Sequence, residues 1–200
     1  MVNCSEYSAG KNARIIEAAN AEFLENGFAE ASMDRISARA EVSKRTVYKH
    51  FESKENLFRE LIQRHWAKCT APLMVHYDKS RGIRDQLMDL AKAEGQIMTS
   101  EEVMLTTRLI MSEIQRRPDL AEENTEKTDF TAAFAEMLKD AAEDGKLKLS
   151  DPKAAADEFL ALLKGQAFWP VVFGAPVVGQ TEMARIIESA VDMMMSRYAT

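Results

Sequence analysis

The chain has 200 residues and a formal net charge of −6, with 46% hydrophobic and 29% charged residues. This composition is ordinary for a globular protein, and no run approaches the roughly 20 apolar residues that a membrane helix needs. The N-terminus lacks the apolar core of a secretory signal, and Cys4 and Cys69 form no CxxC pair. We therefore expect a cytoplasmic protein with free thiols and no membrane partner.

Helical periodicity dominates the first third of the chain. Residues 11–26 form an amphipathic pattern that ends at Gly27, a residue that commonly stops helices. Three serines then stand where helix N-caps are expected. The helices that they open are predicted to cover residues 33–40, 44–51 and 54–71.

Longer helical patterns fill the rest of the sequence. They cover residues 82–99, 101–116, 119–144, 152–173 and 181–198. No strand alternation or hairpin signal is present. The sequence therefore predicts an all-α fold of about nine helices, with a three-helix helix-turn-helix module over residues 1–55 and a helical bundle over residues 56–200.

The second and third predicted helices form a short corner joined by three residues, as in a helix-turn-helix. On the third helix, Val47 and Phe51 fall on one side, which we expect to be buried. The opposite arc carries hydrogen-bond donors, namely Arg45, Thr46, Tyr48 and Lys49, with His50 at its edge. Residues 33–54 hold six basic and three acidic side chains, although residues 1–66 are neutral overall. Such a local positive patch suits DNA phosphates, and a solvated charged corner is the alternative interpretation.

Residues 27–58 resemble the N-terminal signature of the TetR family of transcriptional regulators. The resemblance runs through GFAEASMDRISARAEVSKRTVYKHFESKENLF, with Val42-Ser43 and Thr46-Val47-Tyr48 among its markers. It implies a sequence-specific DNA-binding regulator rather than an enzyme. The DNA contacts that it implies are Lys44, Arg45, Thr46, Tyr48, Lys49, His50 and Lys54.

The C-terminal half is similar to the AefR-like branch of that family, over residues 108–123 and 145–170. The resemblance implies a repressor that binds a palindromic operator as a homodimer and is released by a small molecule. Family members dimerise through their last two long helices, which carry wide apolar stripes in this sequence. The interface candidates are Phe159, Leu163, Phe168, Trp169, Ile187, Val191 and Met194. The alternative is that these stripes are internal core.

In the family an effector enters a cavity among the middle helices. The candidate lining residues are Trp66, Met88, Met98, Met104, Leu105, Arg108, Met111, Phe130 and Phe134. Methionine suits an adaptable apolar pocket, and it equally suits ordinary core packing. Arg108 either holds an anionic ligand or pairs with a carboxylate such as Glu113, and we favour the pairing.

We predict no metal site, no cofactor and no enzymatic activity. His65, Cys69 and His76 would share one face of a continuous helix, but Pro72 interrupts that helix and no fourth ligand lies nearby in sequence. The sequence also lacks a glycine-rich phosphate loop and the HExxH and GxSxG motifs. The alternative function is a helical protein-interaction module that no longer binds DNA.

Overall fold

The computed structural model describes residues 4–122 and 130–200. The helices are α1 (Cys4–Glu30), α2 (Met33–Arg39), α3 (Lys44–Phe51), α4 (Lys54–Thr70), α5 (Ile83–Met98), α6 (Glu101–Arg116), α7 (Asp119–Glu122), α8 (Phe130–Glu143), α9 (Pro152–Ala167), α10 (Trp169–Val172) and α11 (Gln180–Tyr198). Within the described residues there is no strand, only one isolated antiparallel bridge between Leu147 and Ala199. The all-α prediction is confirmed. No described helix is both long and apolar enough to cross a membrane.

The three predicted serine caps are present. The Ser32 hydroxyl accepts a hydrogen bond from the Asp34 amide at 3.2 Å, and Ser43 accepts from the Thr46 amide at 3.1 Å. Ser53 accepts from the amide of Asn56, also at 3.1 Å. Each cap satisfies a backbone N–H that the first turn of a helix leaves without an intrahelical acceptor. These local bonds fix where α2, α3 and α4 begin.

Gly27 interrupts α1, as its sequence position indicated. Its φ of 74° and ψ of 165° lie outside the helical region, and helical hydrogen bonding resumes up to Glu30. A side chain is strained at this φ, whereas glycine adopts it freely. The kink turns the chain towards the start of α2.

One predicted helix in the C-terminal half differs from the structure. The helix expected over residues 152–173 is wrong, because α9 ends at Ala167 and α10 begins at Trp169. Pro170 explains the break, since proline has no N–H to donate and its ring collides with the carbonyl four residues earlier. The helix expected over residues 119–144 is represented by α7 and α8, and residues 123–129 between them lie outside the described residues.

The chain divides into two compact units. The first comprises Met1–Trp66 and Leu105–Glu126, and the second comprises Ala67–Met104 and Lys127–Thr200. The domain boundary predicted after residue 55 stays a prediction, and the first compact unit also includes most of α4. The first unit extends further because α4 buries Leu57, Phe58 and Ile62 in the same core as α1.

Three phenylalanines lie at the centre of the first core. The ring centroid of Phe58 lies 5.2 Å from that of Phe23 and 5.0 Å from that of Phe28, both in edge-on arrangements. Such edge-to-face pairs add to the stabilisation that burial provides. Because Phe23 comes from α1 and Phe58 from α4, the cluster ties together the helices that flank α2 and α3.

The second unit is built on α5, α8, α9 and α11. Helix α11 packs against α5 and α9, and α8 packs against α9. A Cβ atom at Gly95 of α5 would lie 3.0 Å from Ile187 Cδ1 and 3.1 Å from Met183 Cγ. The glycine therefore permits the close approach of α11.

We expect Phe58→Ala to lower the free energy of unfolding by about 3–5 kcal/mol, the usual cost of truncating a buried phenylalanine. Phe58 is fully buried, so its removal leaves a cavity beside Phe23 and Phe28. Urea denaturation measures the loss. Leu24→Ala is the control, because Leu24 is 39% exposed on α1 and its truncation should cost less than about 0.5 kcal/mol. Equal losses in the two variants would contradict the central role of the aromatic cluster.

Candidate nucleic-acid interface

Helix α3 is anchored on one side only. Val47 and Phe51 are buried, as the sequence predicted, with 0% and 6% of their surfaces exposed. On the rest of the helix Arg45, Tyr48 and Lys49 are exposed. An eight-residue helix is too short to be stable alone, so these two apolar side chains hold it in place. The structure therefore brings the predicted donors together on one accessible face.

His50 is exposed on α3 and its ring lies 6.2 Å from that of Phe51. Thr46 is half-buried, and its hydroxyl lies 2.8 Å from the hydroxyl of the Ser43 cap. The Thr46 side chain thus supports the first turn of α3 and keeps one edge open to solvent.

The basic side chains of this region divide into paired and unpaired groups. Arg35 donates to Glu22 at 2.6 Å, and Arg39 makes two hydrogen bonds to Glu25 at 2.8 and 2.6 Å. The bond from Arg39 lowers the pKa of the Glu25 carboxyl. Both arginines of α2 are therefore neutralised by α1.

On α3 the pattern changes. Lys44 lies 2.6 Å from Asp34, and this hydrogen bond raises the pKa of Lys44. Arg45 and Lys49 have no hydrogen-bond or ion-pair partner within the described part of the chain. These two cations stand four residues apart, on neighbouring turns of one helix face. They supply positive charge that no acidic side chain of the module cancels.

Glu22 is a structural residue behind this surface that the sequence prediction did not include. It is 1% exposed, and its Oε1 accepts hydrogen bonds from the Ser32 amide at 3.1 Å and from Arg35 Nε at 2.6 Å. The carboxylate thereby joins α1 to the start of α2. A signal was available, because Glu22 falls on the apolar face of α1 beside Ala19 and Phe23.

Lys54, which the family resemblance implied as a DNA contact, makes hydrogen bonds within the first unit, and its contact with DNA stays a prediction. Its Nζ donates to the carbonyl oxygens of Ala29 at 2.8 Å and Ala31 at 3.0 Å. It also lies 4.8 Å from the ring centroid of Phe28. The ammonium is thus engaged with the segment that follows the Gly27 kink.

Comparison with known proteins decides the family. Residues 15–61 match the family described as "Bacterial regulatory proteins, tetR family". Residues 85–200 match the "AefR-like transcriptional repressor, C-terminal domain". The chain belongs to the TetR family. This TetR-family protein is a DNA-binding transcriptional regulator and not an enzyme.

Individual relatives extend the similarity over most of the chain. The HTH-type transcriptional repressor SCO4008 of Streptomyces coelicolor is 30% identical over 162 residues, covering 80% of this chain and 78% of the relative. A TetR family transcriptional regulator from Pseudomonas syringae has 39% identity and a TM-score of 0.77, covering 94% of this chain and 96% of that one. The Flavonoid-responsive Regulator FrrA has 29% identity and a TM-score of 0.76, covering 96% and 98%.

The nine candidate effector residues of this TetR-family regulator are divided between its two units. Trp66, Leu105, Arg108 and Met111 belong to the first, and Met88, Met98, Met104, Phe130 and Phe134 to the second. In the second unit Met98, Met104 and Phe134 are buried, whereas Met88 and Phe130 are half-buried. The favoured pairing of Arg108 with Glu113 is wrong, because Arg108 forms no ion pair within the described residues, whereas Arg116 donates to Glu113 at 3.0 Å. Residues three apart share a helix face, whereas residues five apart do not.

The predicted dimer residues fall into two groups. Five are buried within the chain's own fold, with at most 6% of their surfaces exposed, and these are Phe159, Leu163, Ile187, Val191 and Met194. Their side chains pack among the helices of the second unit and offer no surface to another copy in this conformation. Phe168 is half-buried and Trp169 is 43% exposed.

The three residues weighed as metal ligands have separate surroundings. His65 Nε2 lies 2.9 Å from the Thr107 hydroxyl. Cys69 is buried, and desolvation raises its pKa to about 11. His76 is exposed in the non-helical segment that follows the Pro72 turn. Across the described ranges, no three His, Cys, Asp or Glu side chains are grouped to hold a metal ion.

We expect Glu22→Ala to lower the free energy of unfolding by about 1–3 kcal/mol, because the Ser32 amide and Arg35 both lose a charged acceptor. The matched control is Glu25→Ala, which removes an exposed carboxylate paired with the other α2 arginine and should leave stability unchanged. Chemical denaturation of the two variants makes the comparison. An equal loss of unfolding free energy in the two variants would mean that burial of Glu22 does not strengthen its contribution to stability.

Proposed function

We propose that this TetR-family regulator is a repressor that binds a palindromic operator as a homodimer and is released by a small molecule. The observation that carries the proposal is the pair of exposed, unpaired cations on α3, Arg45 and Lys49. The relative from Streptomyces coelicolor is named a repressor, and FrrA is named flavonoid-responsive. Both names support repression and a response to a small molecule, and neither identifies the operator or the effector of this chain.

The chemistry of α3 suits the major groove of DNA. An arginine fork can donate two hydrogen bonds to a guanine edge, and a lysine contacts guanine or phosphate. Tyr48, which is 41% exposed between Arg45 and Lys49, has a hydroxyl that can donate to a phosphate oxygen. We assign base reading to Arg45, and backbone contact to Tyr48 and Lys49. Neutralisation of phosphates makes such binding dependent on salt.

A homodimer follows from the need to place two copies of α3 on one duplex. In a two-fold dimer the recognition helices meet successive major grooves roughly 34–36 Å apart, so the operator is palindromic. The surface we propose for the partner consists of exposed apolar residues of α10, of the residue that follows α10, and of α11. It consists of Trp169, Phe173 and Met193, which are 43%, 77% and 53% exposed. Exposed aromatic side chains of this size commonly mark protein interfaces.

Release by an effector requires that the ligand bind one conformation of the dimer more tightly than the other. We place effector binding in the second unit, whose residues fall within the match to the AefR-like C-terminal domain. Half-buried Met88 and Phe130 are the candidate lining residues that solvent reaches there. Differential binding then changes the spacing of the two α3 helices and weakens operator affinity.

Lys49→Ala should weaken operator binding and reduce the slope of log affinity against log salt by about one, because one phosphate contact is lost. The operator is first obtained by selection from random duplexes, and affinity is then measured across a salt series. The matched control is Lys92→Ala, which removes an exposed lysine from α5 in the second unit. Failure of the folded parent protein to enrich any sequence would favour the protein-interaction alternative.

Phe173→Asp and Met193→Asp should each raise the dimer dissociation constant at least about tenfold, because a charge enters an apolar contact. Sedimentation equilibrium measures the constant directly. Leu24→Asp serves as the control, since Leu24 is an exposed apolar residue of the first unit. A parent protein that sediments as a monomer, or a dimer indifferent to both variants, would contradict the proposed surface.

A further inference from the structure

Glu94 of α5 is an incompletely paired carboxylate inside the second unit. It is 3% exposed, and its Oε1 has no hydrogen-bond partner within the described residues. The nearest cation is Lys164 Nζ of α9, at 3.8 Å from Oε1. That separation exceeds the 2.7–3.2 Å of a hydrogen bond from nitrogen to oxygen. Burial raises the pKa of Glu94, while the charge of Lys164 acts in the opposite direction.

The ammonium of Lys164 also faces an aromatic ring. Its Nζ lies 5.0 Å from the ring centroid of Phe130, at the start of α8. A carboxylate and an aromatic face therefore converge on one position occupied by a cation. This combination is the one by which proteins recognise organic ammonium groups. Lys164 is held there loosely, since 31% of its side chain is exposed and its bond to Glu94 is incomplete.

We propose that Glu94 and Phe130 anchor the effector of this regulator, and that the effector is an apolar molecule carrying a protonated amine. The amine takes the position of Lys164 Nζ, donates hydrogen bonds to Glu94 Oε1 and lies against the Phe130 ring. The lysine, on its flexible stem, moves to solvent. This inference rests on the proposed function, because it names the ligand class for effector binding in the second unit.

The charge of the site selects a cation over other ligands. An anion would meet the buried carboxylate of Glu94 and be repelled. A neutral alcohol would satisfy Oε1 with one hydrogen bond and leave the attraction to the ring unused. A protonated amine replaces Lys164 charge for charge, so Glu94 keeps a counterion. Phe134, Phe159 and Leu163 belong to the apolar core against which Phe130 packs, so an apolar group beside Phe130 would meet apolar side chains.

The test uses three probes that share a naphthyl group and differ in the polar head: naphthylethylamine, naphthylethanol and naphthylacetate. Isothermal titration of the full chain should show the amine binding at least about tenfold more tightly than the alcohol, with the acid weakest. Glu94→Gln should remove that preference. Glu102→Gln, which removes an exposed carboxylate paired with Lys68, is the matched control and should bind like the parent.

A second variant separates ligand binding from folding. Lys164→Met removes the internal competitor, so the amine should bind as tightly as in the parent or more tightly. Glu94→Gln should melt no lower than the parent at neutral pH. Because burial raises the pKa of Glu94, folding favours its protonated form. The stability that this group contributes is present below its ordinary pKa of 4.5 and is lost as the pH rises through the raised pKa.

Two results would overturn the inference. One is an alcohol that binds as tightly as the amine, and the other is amine binding that Glu94→Gln leaves unchanged. Operator binding is measured in parallel on the same preparations. A protein that binds its operator but does not bind the amine would refute the ligand class alone, whereas failure to select an operator would refute the proposed function.

Discussion

The surface that we propose to face DNA depends on the burial of Val47 and Phe51 on the opposite side of α3. A helix of eight residues gains too few internal hydrogen bonds to persist alone, so tertiary burial must hold it. Burial of these two side chains sets the rotation of the helix, and the Ser43 cap sets its first residue. Arg45, Tyr48 and Lys49 are then presented outward on a backbone that is already ordered. Little backbone entropy is therefore left to lose when DNA binds, and the remaining cost is that of ordering these side chains.

Pairing within the module explains how a neutral segment can offer positive charge. Glu22 and Glu25 of α1 neutralise the two arginines of α2, and Asp34 neutralises Lys44. These three carboxylates pair with cations between α1 and α2 and between α2 and α3. Arg45 and Lys49 have no such counterion among the described residues, so they contribute uncompensated positive charge on the surface of α3. The local charge of α3, and not the net charge of the module, makes this surface attractive to a polyanion.

The sequence predicted the serine caps, the glycine stop and the buried side of α3 correctly, but not one proline break or the tertiary partners of several side chains. Serine caps and the Gly27 stop act within a few residues, so their positions could be predicted. The apolar stripe over 152–173 concealed the break at Pro170. Periodicity also shows that Phe159 is apolar without showing what it packs against, and the fold buries it within its own chain. Glu22 lacked any sequence sign of its partner, because Arg35 lies thirteen residues away on another helix.

Glu22 and Glu94 are equally buried, and the difference between them separates a structural from a functional carboxylate. Oε1 of Glu22 receives a backbone amide and an arginine at hydrogen-bond distances, so its burial is compensated inside the module. Oε1 of Glu94 receives no hydrogen bond from the described residues, and the ammonium of Lys164 lies 3.8 Å away. A buried charge that is left incompletely compensated destabilises the fold. The role that accounts for keeping Glu94 in that state is to complete its hydrogen bonds with a ligand, which links effector binding to the stability of the second unit.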